Sequence, residues 1–176
     1  MPHPIPDRAA FSNLVLEHQR SIFLHALRLC RGDEQLARDV TQKTFLSAWK
    51  GRSDFRGESA LRTWLFRITH NLALNELRRA HRRREQLNLD EEPVELGSVP
   101  ATAPEQLEEA RQRSALRDAV YSLSERQRDV ALLRLYEDMS FPEIGEVLGI
   151  TANNAKVNFH HASKSLQRQL ARGGAA

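Results

Sequence analysis

Hydrophobic positions along most of this chain recur every three or four residues, and no stretch sustains a period of two. That spacing predicts helices and an all-α fold. One helix is expected near 9–31, ended by a Gly32-Asp33 break, and a second near 33–50. The loop GRSDFRGES leads to a third near 59–84. Residues 86–104 show no helical period, and beyond them helices are expected near 105–121, 125–137, 141–148 and from 151 to about 171. Ser124 with Gln127, and Ser140 with Glu143, have capping-box spacing, and Thr151 is placed to cap the last helix.

Each helix also divides into faces. In the second, Leu36, Val40, Thr44 and Ala48 point to a core, while Gln35, Asp39, Gln42 and Leu46 form a mixed stripe with one carboxylate. Such a stripe suits a positively charged protein partner better than a phosphate, although a merely solvated face would read the same way. In the third helix, Leu61, Leu65, Ile68 and Leu72 make the apolar stripe. Arg67, Asn71, Asn75, Arg78 and Arg82 line an adjoining one, and Arg79, Arg83 and Arg84 widen its positive end. Amides that can touch bases alternate there with guanidiniums that can hold phosphate. Trp64 lies on the edge of the apolar stripe and is expected in the core. In the preceding loop, Phe55 between Asp54 and Arg56, just before Gly57, is expected to be an exposed aromatic able to hold an unstacked base.

The last two helices have helix-turn-helix form: a short capped helix, the turn Leu148-Gly149-Ile150, and a longer helix. In the longer one Ala155, Phe159, Ala162 and Leu166 should pack inward. Asn153, Val157, His160, Lys164 and Arg168 face the other way, flanked by Asn154, Lys156 and His161. This arrangement fits a major-groove helix, and a plain helical hairpin would share it. His160 and His161 are neighbours pointing about 100° apart with no third ligand close in sequence, so no metal site is expected.

Charge sharpens the division into parts. The net charge of +3 hides 16 Lys/Arg against 8 Asp/Glu in residues 1–84, then 8 acidic and no basic residues in 85–110. Residues 111–176 hold 10 basic against 7 acidic. With Pro93, Pro100 and Pro104 in the acidic stretch, 86–104 reads as a linker between a helical domain at 1–85 and a second at 105–172. The single cysteine, Cys30, leaves no internal disulfide and reads as a buried small hydrophobe. No apolar run approaches the ~18 residues of a membrane span, and the Pro-rich start lacks a signal peptide's apolar core. A cytoplasmic protein is the expectation. No Gly-rich phosphate loop, nucleophile arrangement or metal-ligand set is present, so the chain does not read as an enzyme and needs no cofactor.

Taken in order, DEQLARDVTQKTFLSAW, FRGESALRTWLFRITHNLALNELRR, an acidic linker and LSERQRDVALLRLYEDMSFPEIGEVLGITANNAKV resemble the ECF (extracytoplasmic function) subfamily of bacterial RNA polymerase sigma factors over roughly 9–171. The resemblance implies two all-α domains that bind core polymerase, recognise −35 and −10 promoter elements and assist melting. It places Gln35, Asp39, Gln42, Phe45, Leu46 and Trp49 at, or in support of, the surface for the β′ clamp helices. It places Asp54, Phe55 and Arg56 in the loop that captures a flipped −10 base, and Arg67, Asn71, Asn75, Arg78, Arg79 and Arg82 on −10 DNA. Thr151, Asn153, Asn154, Lys156, Val157, His160, His161 and Lys164 fall on the helix set in the −35 major groove. Contact with the polymerase β flap and an anti-sigma partner are implied as well.

Three positions depart from the family's habit. Lys43 stands where a glutamate is common, and Asn158 and His161 where arginines are common. Neutral side chains in the last helix imply weak −35 binding in isolation, with polymerase tethering supplying the rest. Two other readings remain at this point: a helix-turn-helix regulator binding duplex DNA as a symmetric dimer, and a helical adaptor binding only proteins. Neither explains both the basic surface from Arg67 to Arg84 and the separate loop-bearing domain.

Overall fold

A computed structural model describes residues 7–55, 60–86 and 104–173, and among these the regular elements are seven α-helices and one 3-10 turn. The helices are α1 (Arg8–Leu29), α2 (Glu34–Gly51), α3 (Leu61–Gln86), α4 (Pro104–Tyr121), α5 (Glu125–Leu135), α6 (Phe141–Leu148) and α7 (Ala152–Gly173). The all-α expectation holds, and the ends fall within about two residues of those read from periodicity, the ordinary uncertainty of helix ends. The interior of the expected linker, 87–103, lies outside the described residues.

Capping residues explain where the helices begin. Asp7 accepts a bond from the Ala10 amide at 2.9 Å, and Asp33 one from the Leu36 amide at 2.9 Å. Between α1 and α2 the chain turns through left-handed backbone at Arg31 and Gly32, where φ is 54° and 87°. The Gly32 amide there returns to the Leu27 carbonyl at 2.8 Å, closing α1. At α6 the expected capping box forms: the Ser140 amide donates to Glu143 Oε2 at 2.8 Å and the Glu143 amide to Ser140 Oγ at 3.4 Å. At α5 it does not. Ser124 is the N-cap, but its side chain makes no capping bond. Its backbone is extended (ψ 152°), and its carbonyl accepts from the Arg128 amide at 2.8 Å, so the helix starts on backbone bonding alone with Glu125 in its first turn.

The first unit holds α1, α2 and α3, each packed on the other two. Its core gathers Leu14, Ile22, Ala26 and Leu29 of α1, Val40, Thr44 and Ala48 of α2, and Leu65, Phe66, Thr69 and Ala73 of α3. The α2 stripe matches expectation, with Ala37 added and Leu36 only half-buried. In α3 the buried stripe is rotated from the expected one. Leu65 is at its centre, while Leu61, Ile68 and Leu72 are half-buried flanks. Thr69 takes a central place because its hydroxyl donates to the Leu65 carbonyl at 2.8 Å and meets the Thr44 hydroxyl at 3.3 Å. A hydroxyl satisfied in this way can be buried at little cost, which a hydrophobic count misses. Cys30 is buried and its thiol is pushed up to about 12, chiefly by burial, so it stays an inert thiol at neutral pH.

The second unit contains α4, α5 and α7 with the start of α6. Val120 and Leu123 meet Val130, Leu133, Met139, Ile144, Ala155, Ala162 and Leu166 in its core. Ser122 Oγ lies 2.8 Å from Gln169 Oε1, joining the end of α4 to α7.

Two buried titratable groups make the units respond oppositely to acid. Burial holds His25 well below histidine's usual range, aided by His70, Arg28 and Arg62. A depressed histidine pKa leaves its stability intact above the unfolded value of about 6.5 and erodes it as pH falls below that. Burial pushes Asp129 up to about 6; Glu125 adds to this, whereas Arg128 and Arg126 oppose it. A raised carboxyl pKa favours the folded state increasingly as pH falls through about 6 towards about 3.9. Between pH 6.5 and 4.5, thermal unfolding followed by residue-resolved NMR should therefore show α1–α3 losing stability relative to α4–α7. His25→Phe should remove part of that loss.

Candidate functional site

Three surfaces carry the residues that the sequence singled out, two on the first unit and one on the second. On α2, Gln35, Asp39, Gln42 and Leu46 are all exposed, and Leu46 keeps 52% of its surface in water. They are opposite the buried Val40, Thr44 and Ala48, as a 3.6-residue repeat requires. Phe45 and Trp49 are half-buried on the flank nearer α1. The Trp49 ring meets Phe11 edge-on with centroids 5.0 Å apart, and the Arg52 guanidinium sits 3.7 Å from the Trp49 ring. Trp49 thus braces the exposed stripe from below.

On α3, Arg67, Asn71, Asn75, Arg78, Arg79 and Arg82 are all exposed, and Arg83 joins them. The rotation of the buried stripe leaves this polar face intact, since Leu65, Phe66, Thr69 and Ala73 lie on the other side. The face is continuous over four helical turns and carries both amides and guanidiniums. One half-buried acid borders it on the side towards α2: Glu76 accepts from Lys43 of α2 at 2.7 Å and from Arg79 at 3.1 Å. The bond from Lys43 holds the Glu76 carboxyl below its usual range despite partial burial. Sequence reasoning missed this bridge because residues 33 apart give no periodic signal.

The loop before α3 differs from expectation. Phe55 is only 6% exposed and packs on Trp64, with ring centroids 4.9 Å apart. Burying two aromatic rings against each other removes more apolar surface from water than displaying one. Phe55 is therefore a core residue of this unit and not a displayed base-stacking ring. Arg56 and Gly57 lie outside the described residues, as does the side chain of Asp54.

Between α6 and α7 the chain makes a tight turn. Gly149 has φ +65°, which glycine adopts freely, and the Ile150 amide bonds back to the Gly145 carbonyl at 2.9 Å. A Cβ on Gly145 would stand 2.7 Å from the Ile150 carbonyl oxygen, so the turn closes directly over Gly145. Thr151 then caps α7, its hydroxyl accepting from the Asn154 amide at 3.1 Å. Ala155, Ala162 and Leu166 are buried, and Phe159 packs on Phe141 with centroids 5.9 Å apart. Asn153, Asn154, Lys156, Val157, His160, His161 and Lys164 are exposed, with Val157 at 46%. Asn158 is half-buried, and its amide donates to the Asn154 carbonyl at 2.9 Å, so it serves the helix rather than its outer face.

Among the described residues no helix is long and apolar enough to cross a membrane, and no three His, Cys, Asp or Glu side chains gather as metal ligands.

Comparison with known proteins bears on both units. The family model Sigma-70 region 2 matches residues 14–83, and Sigma-70, region 4 matches residues 113–166. RNA polymerase sigma-H factor of Pseudomonas aeruginosa is 31% identical over 170 residues, covering 93% of this chain and 88% of the relative. ECF RNA polymerase sigma factor SigL of Mycobacterium tuberculosis is 31% identical over 166 residues, covering 93% and 90%. Among solved structures, CnrH in complex with the cytosolic domain of CnrY aligns with a TM-score of 0.66 at 26% identity, over 94% of this chain and 90% of that one. Sigma factor RpoE in complex with the anti-sigma factor NepR, from Bartonella quintana, shares the fold, with a TM-score of 0.74 at 23% identity over 93% and 98%.

Proposed function

This chain belongs to the ECF subfamily of bacterial RNA polymerase sigma factors, and on that premise we propose how its three exposed surfaces divide the work of initiation. Sigma factors are non-catalytic regulators, and this one directs promoter-specific transcription initiation with core polymerase and promoter DNA as its partners. The α2 stripe Gln35, Asp39, Gln42 and Leu46, braced by Phe45 and Trp49, is the dock for the β′ clamp helices. Its single carboxylate beside an exposed leucine offers a charge pair and an apolar anchor to a basic helical partner.

The α3 face Arg67, Asn71, Asn75, Arg78, Arg79 and Arg82 takes −10 DNA. The outer face of α7 enters the −35 major groove. There Asn153, Asn154, Lys156, Val157 and His160 approach base edges, and Thr151, His161 and Lys164 lie at its margins. A contact with the β flap of core polymerase belongs to the same reading.

The observation that carries this reading is the separation of chemistries: a carboxylate and a leucine on α2, guanidiniums and amides on α3. Domains at 1–85 and 105–172 fit it. With α3 running to Gln86 and α4 starting at Pro104, the residues 87–103 between them could reach at most ~56–61 Å if extended, which approaches two turns of duplex. The complex of RpoE with the anti-sigma factor NepR, together with that of CnrH with the cytosolic domain of CnrY, supports an anti-sigma partner for this chain as well, one that would occlude the α2 stripe or the final helix. The cytoplasm, where polymerase works, is its place.

A variant with Asp39→Ala and Gln42→Ala tests the division. Association with core polymerase should weaken about tenfold, the ~1.4 kcal/mol expected for two truncated contacts. Binding of the full-length variant to a −35 duplex, measured by fluorescence anisotropy, should not change. Equal loss of both would contradict separate surfaces.

A further inference from the structure

The geometry around Glu76 points to a role for a residue that the docking surface does not use. Lys43 is one residue beyond Gln42, about 100° round α2 from it, on the flank that faces α3. Its ammonium reaches across to Glu76 of α3 at 2.7 Å, and Arg79 meets the same carboxylate oxygen at 3.1 Å. The two cationic groups are therefore no farther apart than the sum of those distances. Lys43 keeps 45% of its side chain exposed and Arg79 62%, whereas Glu76 keeps only 13%. The acid lies beneath and the two cations stand above it at the rim. Only one of their two positive charges is balanced by the carboxylate, and each retains further N–H donors.

We propose that Lys43 belongs to the nucleic-acid face and that, fixed by Glu76 beside Arg79, it contacts a backbone phosphate of the promoter near the −10 element. The proposal rests on the reading of α3 as the −10 surface and extends that surface onto α2. A phosphate accepts well from two cations held a few ångströms apart, and pre-orientation by a shared carboxylate reduces the freedom lost on binding. The same geometry explains why a cation is tolerated next to a dock meant for a basic partner. Asp39 and Gln42 stay on the outer stripe, while the Lys43 charge is drawn away towards α3. Arg38, on the opposite flank of α2, pairs instead with Glu34 of its own helix.

The test uses holoenzyme reconstituted from bacterial core polymerase and the full chain, with a promoter selected by that holoenzyme from a randomised duplex pool. Promoter affinity is measured over a range of salt concentrations for the wild type, Lys43→Gln, Lys43→Arg and Arg78→Ala. Loss of one phosphate contact should make the slope of log K against log salt shallower by about 0.7–0.9 in Lys43→Gln. The wild-type slope should return in Lys43→Arg. Core affinity should be unchanged in both, and thermal unfolding of the free Lys43→Gln chain will show whether the first unit remains folded.

A shallower slope in Arg78→Ala with none in Lys43→Gln would overturn the proposal and leave Lys43 as an internal brace. Weaker core binding with an unchanged slope would overturn it in favour of a docking role. Unchanged slopes in both Lys43→Gln and Arg78→Ala would overturn the assignment of α3, and the proposal with it.

Discussion

Alanine in place of Arg67, Arg78 and Arg82 together is expected to lower promoter affinity of the holoenzyme about a hundredfold, from roughly 1 kcal/mol for each guanidinium. All three side chains are exposed on one face of α3, away from its buried Leu65, Phe66, Thr69 and Ala73. Their removal takes positive charge from the surface without opening a cavity, so the melting temperature of the free chain should stay close to that of the wild type. The salt dependence should drop by about two to three in slope, since each lost phosphate contact releases one fewer set of counterions. Permanganate footprinting should show unpaired thymines near the −10 element disappearing along with affinity. Core polymerase should still capture the variant, because the α2 stripe is untouched. A slope unchanged from wild type would mean that these guanidiniums face solvent in the complex.

Valine in place of Gly145 should remove −35 recognition by a different route. Even the first carbon of a side chain would come within 2.7 Å of the Ile150 carbonyl oxygen and 3.4 Å of the Ala152 amide nitrogen. Both are backbone atoms, so no rotamer change relieves the clash. Ile150 immediately precedes Thr151, whose hydroxyl caps α7. Any shift that accommodates the valine therefore moves the start of the helix meant for the groove. Overpacking of this kind typically costs ~1–3 kcal/mol, and a displaced recognition helix loses base contacts besides. Binding to a −35 duplex should become undetectable at concentrations where the wild type is half-bound, while core association through α2 persists. Gly149→Ala is a useful contrast. Its added methyl would meet nothing within 4 Å, and its cost is backbone strain at φ +65° alone.

Most of the architecture was legible in the chain because helices announce themselves by spacing. The apolar repeat placed all seven, and Asp33, Ser140 and Thr151 each cap a helix start as local chemistry dictates. What periodicity could not supply was the orientation of faces that depend on neighbours. Thr69 joins the core of α3 through a hydroxyl contact with Thr44, which no hydrophobic scale records. Phe55 was expected outside for its place in a glycine-bearing loop, but it turns inward because Trp64 offers it a ring to pack on. Lys43 stands where a glutamate is common, and only the fold brings Glu76 beside it. Gly145 carried no warning either, since a glycine inside a helix is usually just a weak helix former and here it is the floor of the turn. The candidate surfaces themselves were readable as stripes, because exposure on a helix follows from the burial of its opposite side.

The most direct measurement of the central claim is specific transcription. Purified chain, bacterial core RNA polymerase and a promoter pool of randomised −35 and −10 sequence are mixed, and run-off transcripts are sequenced. Transcripts are expected from a defined subset of templates that share two elements, produced only when chain and core are both present. Stable binding to palindromic duplex by a dimer of the chain, with no transcript and no association with core, would contradict that claim.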